Sequence, residues 1–216
     1  MPRRPSLKIN DTAHVVIRCQ NKAFLLQPKL YWDDLSSWIN CLPYFFNVEI
    51  HHFVVMSNHF HFLLTPNEDN FGKAMSYFMT NVAKYLNYRH GRVNHVFGNR
   101  YGATRVKEQR QFINVIRYIY QNPVRAHIVK RVEQYPFSSF GLYNGAGHPG
   151  VKVCPDVYTQ SVFKHGIEGR EIWLNLVNQE LSENDQMILR KCFMRSVFTY
   201  SKRALHSMGT GTSLII

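Results

Sequence analysis

Acidic residues are scarce in this chain of 216 residues: 14 Asp and Glu stand against 26 Lys and Arg, for a formal charge of +12. That shortage argues against a basic partner and for a polyanion, with nucleic acid first and an anionic membrane surface second. Cysteine is sparse too. Cys19, Cys41, Cys154 and Cys192 are widely separated with no C-x-x-C pair. A disulfide framework and a zinc ribbon are thereby excluded, and reduced, mostly buried thiols in a cytoplasmic protein are expected. No apolar run reaches the length of a membrane span, and no apolar segment follows Met1-Pro2-Arg3-Arg4-Pro5, so neither insertion nor export is expected. Also missing are a Gly-rich phosphate loop and a nucleophile elbow, which leaves acyl or phosphate hydrolysis a distant third reading. There is no internal repeat and no low-complexity tract.

What is present describes a folded chain: 45% hydrophobic and 14% aromatic residues, enough for one domain or one domain with an appendage. Residues 1–12 read as a loose basic arm. Ala13 to Cys19 is β-branched and predicts a strand. Leu30, Leu35, Trp38, Ile39 and Leu42 recur at helical spacing, with Pro43 expected to end that helix. Val48–Met56 and His59–Thr65 predict an antiparallel hairpin turning at Ser57-Asn58. Phe71 to Arg89 predicts a long helix, capped near Gly91. A fourth strand is expected near Tyr101–Val106, then a helix from Gln111 to Asn122 stopped by Pro123. The order is a βαββαβ unit with an added helix, an α+β, ferredoxin-like plan with an antiparallel sheet. Residues 13–140 would form this domain. Residues 141–216 would form an extension, mainly helical from Ile167 to about Phe198, with an irregular tail from Ser207 ending Leu214-Ile215-Ile216.

The chemistry centres on Ser57-Asn58-His59-Phe60-His61-Phe62-Leu63-Leu64. Alternation along a strand sends His59 and His61 to one face while Phe60, Phe62 and Leu64 anchor the other. Two imidazoles held side by side can chelate a divalent metal once a third ligand arrives. The plainer alternative is a strand whose polar face happens to carry two histidines.

A second constellation lies at Phe112 to Pro123. On a helical wheel Phe112, Ile113, Val115, Ile116, Ile119 and Tyr120 form one apolar face. Tyr118 falls opposite, with Asn122 one turn on, so Tyr120 reads as a core residue and Tyr118 as displayed on a polar face. Taken alone, this is equally an ordinary amphipathic helix. Taken with the histidines, it supplies a tyrosine nucleophile and an amide beside a metal that would neutralise a phosphodiester. Imidazole ligands suit Zn²⁺ or Mn²⁺, whereas Mg²⁺ would need substrate phosphate to complete its shell.

His59-Phe60-His61 resembles the His-hydrophobe-His motif of single-tyrosine transposases and relaxases. The hairpin Val54 to Leu64, the segment Phe97-Gly98-Asn99-Arg100-Tyr101 and the string Arg117-Tyr118-Ile119-Tyr120-Gln121-Asn122-Pro123-Val124-Arg125-Ala126 are similar to the REP-associated tyrosine transposases. The likeness covers about Ala13 to Phe140, with Ser57 standing where proline is common. It implies Tyr118 as nucleophile, His59, His61 and Asn122 as metal ligands, and Mg²⁺ or Mn²⁺ as cofactor. It further implies a bacterial, nucleoid-associated protein that cleaves and rejoins single-stranded DNA at hairpins through a 5′-phosphotyrosine. A monomer with its site completed in cis is expected, a dimer in which the tyrosine helix of one subunit serves the metal site of the other being the alternative.

Arg89, Arg92, Arg100, Arg105, Lys107, Arg110 and Arg125 surround the proposed site in sequence, with Phe97 and Tyr101 interleaved. Such a run is often only a solvated face. Because acids are nearly absent from Phe71 to Arg131, contacts to phosphates and unpaired bases are the stronger expectation, Tyr101 included. A non-catalytic protein of the same fold that binds DNA hairpins is the alternative.

Overall fold

The structure, a computed structural model, describes residues 7–144, 150–195 and 197–198. Four strands, β1 (Ala13–Arg18), β2 (Val48–Met56), β3 (His59–Pro66) and β4 (Gly102–Arg105), form one antiparallel sheet ordered β2-β3-β1-β4. With α1 (Pro28–Phe46) after β1 and α2 (Phe71–Arg89) after β3, this is the expected βαββαβ plan. The two-residue turn Ser57-Asn58 closes the β2–β3 hairpin, and a register shift falls between Ile50 and His52.

One face of the sheet buries Val15, Ile17, Phe60, Phe62 and Leu64 against Leu35, Ile39 and Leu42 of α1 and Met75, Phe78, Val82 and Leu86 of α2. The opposite face is covered as well. There α3 (Gln109–Tyr120) lies over Val54, Met56 and Leu63. A short turn, α4 (Asn122–Arg125), and α5 (Phe140–Asn144) follow. Then α6 (Val157–Phe163), α7 (Gly166–Asn178) and α8 (Glu183–Phe193) close over the same core with Trp173, Leu176, Val177, Leu189 and Phe193. Both edges of the sheet are paired beyond the strands. Val55 N donates to Phe137 O (2.9 Å), Ser139 N to Phe53 O (3.1 Å) and Cys154 N to Ile50 O (2.9 Å), while Phe198 N donates to Arg105 O (2.8 Å).

A buried polar chain ties three of these elements together. His52 on β2 sits 2.5 Å from the Tyr120 hydroxyl through Nδ1 and 2.7 Å from Asp156 Oδ2 through Nε2. Tyr120 also meets Ser139 Oγ (2.9 Å), and Asp156 caps the N-terminus of α6 by accepting from Tyr158 N and Thr159 N. Burial opposes the Asp156 charge, but the bonds from His52 and Thr159 prevail and hold its carboxyl below the usual range.

Several expectations need correction. Helix α1 runs through Pro43 to Phe46. The missing N–H and ring clash cost about 3 kcal/mol, yet Leu35, Ile39 and Leu42 are fully buried on this helix and packing outweighs them. Pro123 does not stop the tyrosine helix: the chain bends at Gln121 and Pro123 sits in the first turn of α4, where its lack of an N–H is harmless. Residues 7–12 are packed and not loose, since Leu7 is buried, Asn10 N donates to Pro66 O (2.8 Å) and Val106 N donates to Thr12 O (2.8 Å). Among the described residues no helix is long and apolar enough to cross a membrane. The four thiols are free. The basic residues Arg3 and Arg4 and the tail from Ser207 lie outside the described residues.

Candidate functional site

β3 is an inner strand, so His59 and His61 are fixed from both sides: His61 pairs with Val16 and Val54, His59 with Arg18 and Met56. Both imidazoles point to the face covered by α3, with ring centroids 4.8 Å apart. Each is held through Nδ1. That of His59 bonds to Asn58 Oδ1, which accepts, so Nδ1 carries the proton. That of His61 lies 2.8 Å from His14 Nε2 on β1. In both rings Nε2 is buried with no hydrogen-bond partner. Burial keeps the rings neutral: His14 is pushed down to about 3 and His59 to about 4, the latter helped by the Arg18 charge and opposed by the Asn122 amide. His61 is lowered well below the ordinary value, first by burial and then by its His59, His14 and cationic neighbours.

Tyr118 comes down onto this pair. Its ring stands edge-on to His61 (5.7 Å between centroids) and to His14 (6.2 Å). The Arg125 guanidinium lies 4.2 Å from the ring centre, and the Tyr118 hydroxyl supports the Arg125 cation against its partial burial. Asn122 anchors through Nδ2, which donates to Tyr118 O (2.8 Å), while Oδ1 accepts from Arg125 Nη2 (3.0 Å) and the side chain faces His59. Thus His59, His61, Tyr118, Asn122 and Arg125 meet within a single chain.

The wheel placed Tyr118 and Tyr120 on opposite sides of the helix, and they are: Tyr120 faces His52 and Ser139, Tyr118 the histidine pair. The expected exposure of Tyr118 is wrong, for it is only 7% exposed. Helix α3 has the sheet on one side and the C-terminal helices on the other. Phe193 of α8 packs on Tyr118 (4.8 Å) and His14 (4.0 Å), and Thr104 Oγ1 donates to Phe193 O (3.1 Å) and holds it there.

The basic set does not assemble as one patch. Arg92 and Arg100 are exposed near the end of β1, where Gly98 N donates to Arg18 O (3.3 Å). Arg89 lies over Tyr31 and Tyr85. Arg105 sits at the far end of β4, paired with Asp11 (3.4 Å), with exposed Lys107 and half-buried Arg110 beyond it. Tyr101 is half-buried and packs edge-on to Phe71 (5.4 Å) against the α2 core. Sequence reasoning missed His14, Asn58 and Phe193. Alternation in β1 does put His14 on one face with Val16 and Arg18, but only the strand register, with His14 opposite Leu63 and Val16 opposite His61, shows that His14 lies diagonal to His61.

Fold and site together define an α+β protein in which a tyrosine helix faces a histidine pair across an antiparallel sheet. Residues 8–122, more than half of the chain, match the family described as Transposase IS200 like, and the chain belongs to that family. It is 25% identical over 122 residues to a predicted REP-associated tyrosine transposase of Haemophilus influenzae (strain ATCC 51907 / DSM 11121 / KW20 / Rd), a match spanning 48% of this chain and 69% of that protein. Its fold is similar to the solved structure of a REP-associated tyrosine transposase bound to a REP hairpin: TM-score 0.57 at 22% identity, over 73% of this chain and 93% of the other.

Proposed function

We propose that this protein cleaves and rejoins single-stranded DNA beside a hairpin, using Tyr118 as nucleophile and a divalent metal at His59, His61 and Asn122. The observation that carries this reading is the contact of Tyr118 with His61, whose Nε2, like that of its neighbour His59, is buried with no hydrogen-bond partner. Leaving two such nitrogens unsatisfied costs free energy that the fold has no structural reason to bear.

The residues fit a divalent cation. Among the described residues no three His, Cys, Asp or Glu side chains gather into a metal site. Two neutral imidazoles and one amide oxygen are the donor set instead, and their neutrality would leave a bound Mg²⁺ or Mn²⁺ its full charge. The cation, when bound, neutralises a nonbridging phosphate oxygen and orients the phosphate. The chain's own residues do the rest. Tyr118 Oη attacks phosphorus in line and loses its proton; the bond to the 3′ oxygen breaks and leaves a 3′-hydroxyl, with the 5′-phosphate on Tyr118. Arg125, already over the ring, stabilises the negative charge that develops on Oη. Attack by a second 3′-hydroxyl reverses the step and joins new ends. Residues 13–140 form the catalytic unit and helices α6 to α8 its cover, in a cytoplasmic, nucleoid-associated monomer.

The similarity to REP-associated proteins, one of them solved with a hairpin, supports the choice of substrate. The charge of +12 predicts binding that weakens steeply with salt. The burial of Tyr118 under Phe193 favours a second reading, a hairpin-binding protein that does not cut. Incubation with 3′-labelled hairpin DNA and Mg²⁺ or Mn²⁺ separates them. A covalent adduct lost in Tyr118→Phe supports the enzyme; tight binding with no adduct under either metal supports the binder.

A further inference from the structure

Arg18, which the basic set from Arg89 to Arg125 leaves out, ends β1 beside the histidine pair. Alternation along the strand puts its side chain on the face of His14 and Val16. The register sets it directly opposite His59 on β3, where opposed side chains start about 5 Å apart. It is exposed. On the other flank stands Arg125, its guanidinium over the Tyr118 ring and bonded to Asn122 Oδ1. Arg125 Nε and Nη1 are buried with no hydrogen-bond partner. Among the described residues neither arginine forms an ion pair.

Two cations without a counter-ion oppose a metal. Burial comes first in lowering His59 and His61, and the charges of Arg18 and Arg125 add to it on both. A charge that disfavours a proton on an imidazole disfavours a divalent cation there for the same reason. The groups behind the rings do not compensate. His59 Nδ1 meets the Asn58 amide and His61 Nδ1 meets neutral His14, where a carboxylate commonly backs a metal-bound histidine. The arrangement thus works against a metal in the free protein and favours an anion in front of the pair. A phosphate there would meet the two donors that Arg125 leaves open and the planar fork of Arg18, which suits phosphate oxygens.

We propose that Arg18 binds a backbone phosphate of the single strand, the one next to the phosphate that Tyr118 attacks, and that its charge weakens metal binding in the protein without DNA. The placement follows from the strands. Tyr118 and Phe193 pack on His14, whereas Arg18 lies four residues further along β1, a distance of about 13 Å. One phosphate at the histidine pair leaves its neighbour in the strand on the Arg18 side. Such a contact positions the strand and carries no sequence information. This rests on the DNA and the metal proposed above.

The test compares two affinities across one set of variants. Mn²⁺ binding is followed by the paramagnetic resonance of the free ion, without and with DNA. Binding of a fluorescent DNA hairpin with single-stranded flanks is followed in metal-free buffer. At low salt Arg18→Gln should bind Mn²⁺ about five times more tightly than wild type. It should bind the DNA about five times more weakly, by the same factor whatever the flank sequence. Arg18→Glu should move both affinities further in those directions, and Arg18→Lys should keep both near wild type. Arg100→Gln, on the exposed segment after α2, should leave Mn²⁺ affinity unchanged. Because Arg18 is exposed, none of its replacements disturbs the core. Movement in opposite directions is the signature, since a structural fault would lower both affinities. A fall in both, no change, or a change in one alone would overturn the role of Arg18 and leave the substrate and metal reading intact. Wild type that failed to bind the hairpin or, with hairpin present, Mn²⁺ would remove that reading itself.

Discussion

On one side of the sheet Val15, Ile17, Phe60, Phe62 and Leu64 meet apolar side chains of α1 and α2; on the other, His14, His61 and Thr104 are buried among Val54, Leu63 and Phe193. The same strands supply both sides, one residue apart. The first face is stabilised by packing alone, and any apolar set of similar volume would serve it. The second buries polar atoms that packing does not require, and two of them, the Nε2 atoms of His59 and His61, lack partners. Stability is made on one side and chemistry on the other. Substitutions on the two faces should therefore fail in different ways.

The largest expected effect is at Tyr118. Tyr118→Phe should remove the covalent DNA adduct completely and leave the melting temperature and hairpin affinity near wild type. Tyr120→Phe, two residues on, should keep the adduct and lose about 1–3 kcal/mol of stability, because its hydroxyl serves His52 and Ser139. If Tyr120→Phe is the variant that loses the adduct, the assignment is wrong.

Next come neighbours on β3. His61→Ala should abolish cleavage and metal binding by calorimetry, with a modest change in stability. Phe62→Ala, pointing the other way, should cost about 3–5 kcal/mol while the protein that remains folded still binds metal. A Phe62 variant that lost metal binding at full stability would break the distinction between faces.

Acid should reveal the same asymmetry. His14 and His59 titrate near 3 and 4 when folded, and His61 lower than usual, whereas unfolded imidazoles take up a proton near 6.5. Their contribution is thus complete above about pH 6.5 and is lost as pH falls toward 4, at up to about 1.4 kcal/mol per pH unit for each histidine. Denaturant titrations from pH 7.5 to 4.5 should show this slope. Phe62→Ala should lower the curve without changing its steepness, while His14→Gln should flatten it.

The smallest effect sharpens the contrast within the chemical face. His14 touches His61 Nδ1 and belongs to no proposed ligand set. His14→Gln keeps an acceptor and should hold metal affinity close to wild type; His14→Leu should lower it about 10–100-fold. Equal affinity in both would mean that His14 only fills space.

Much of this was legible beforehand. The hairpin, the strand order and the opposed directions of Tyr118 and Tyr120 follow from alternation and helical period, which are local. What was not legible depends on elements distant in sequence. Pro43 looked like a stop because the buried ridge Leu35-Ile39-Leu42, which carries the helix past it, gains its worth only against α2. Tyr118 looked exposed because Phe193, 75 residues downstream, is what covers it. His14 looked like one more strand residue until the β1–β3 register set it opposite Leu63 and beside His61.

The pairing of both sheet margins has a consequence for how copies of the protein can meet. An uncovered outer strand is an open template on which a second molecule can continue the ladder. Here residues 137–139 and Cys154 occupy one margin and Phe198 the other. Copies cannot fuse sheet to sheet while these segments stay in place. The chain therefore carries its own insulation against self-templating. Trimming the C-terminus before Val197 would bare β4, and such a product would be expected to self-associate through that strand, whatever became of its activity.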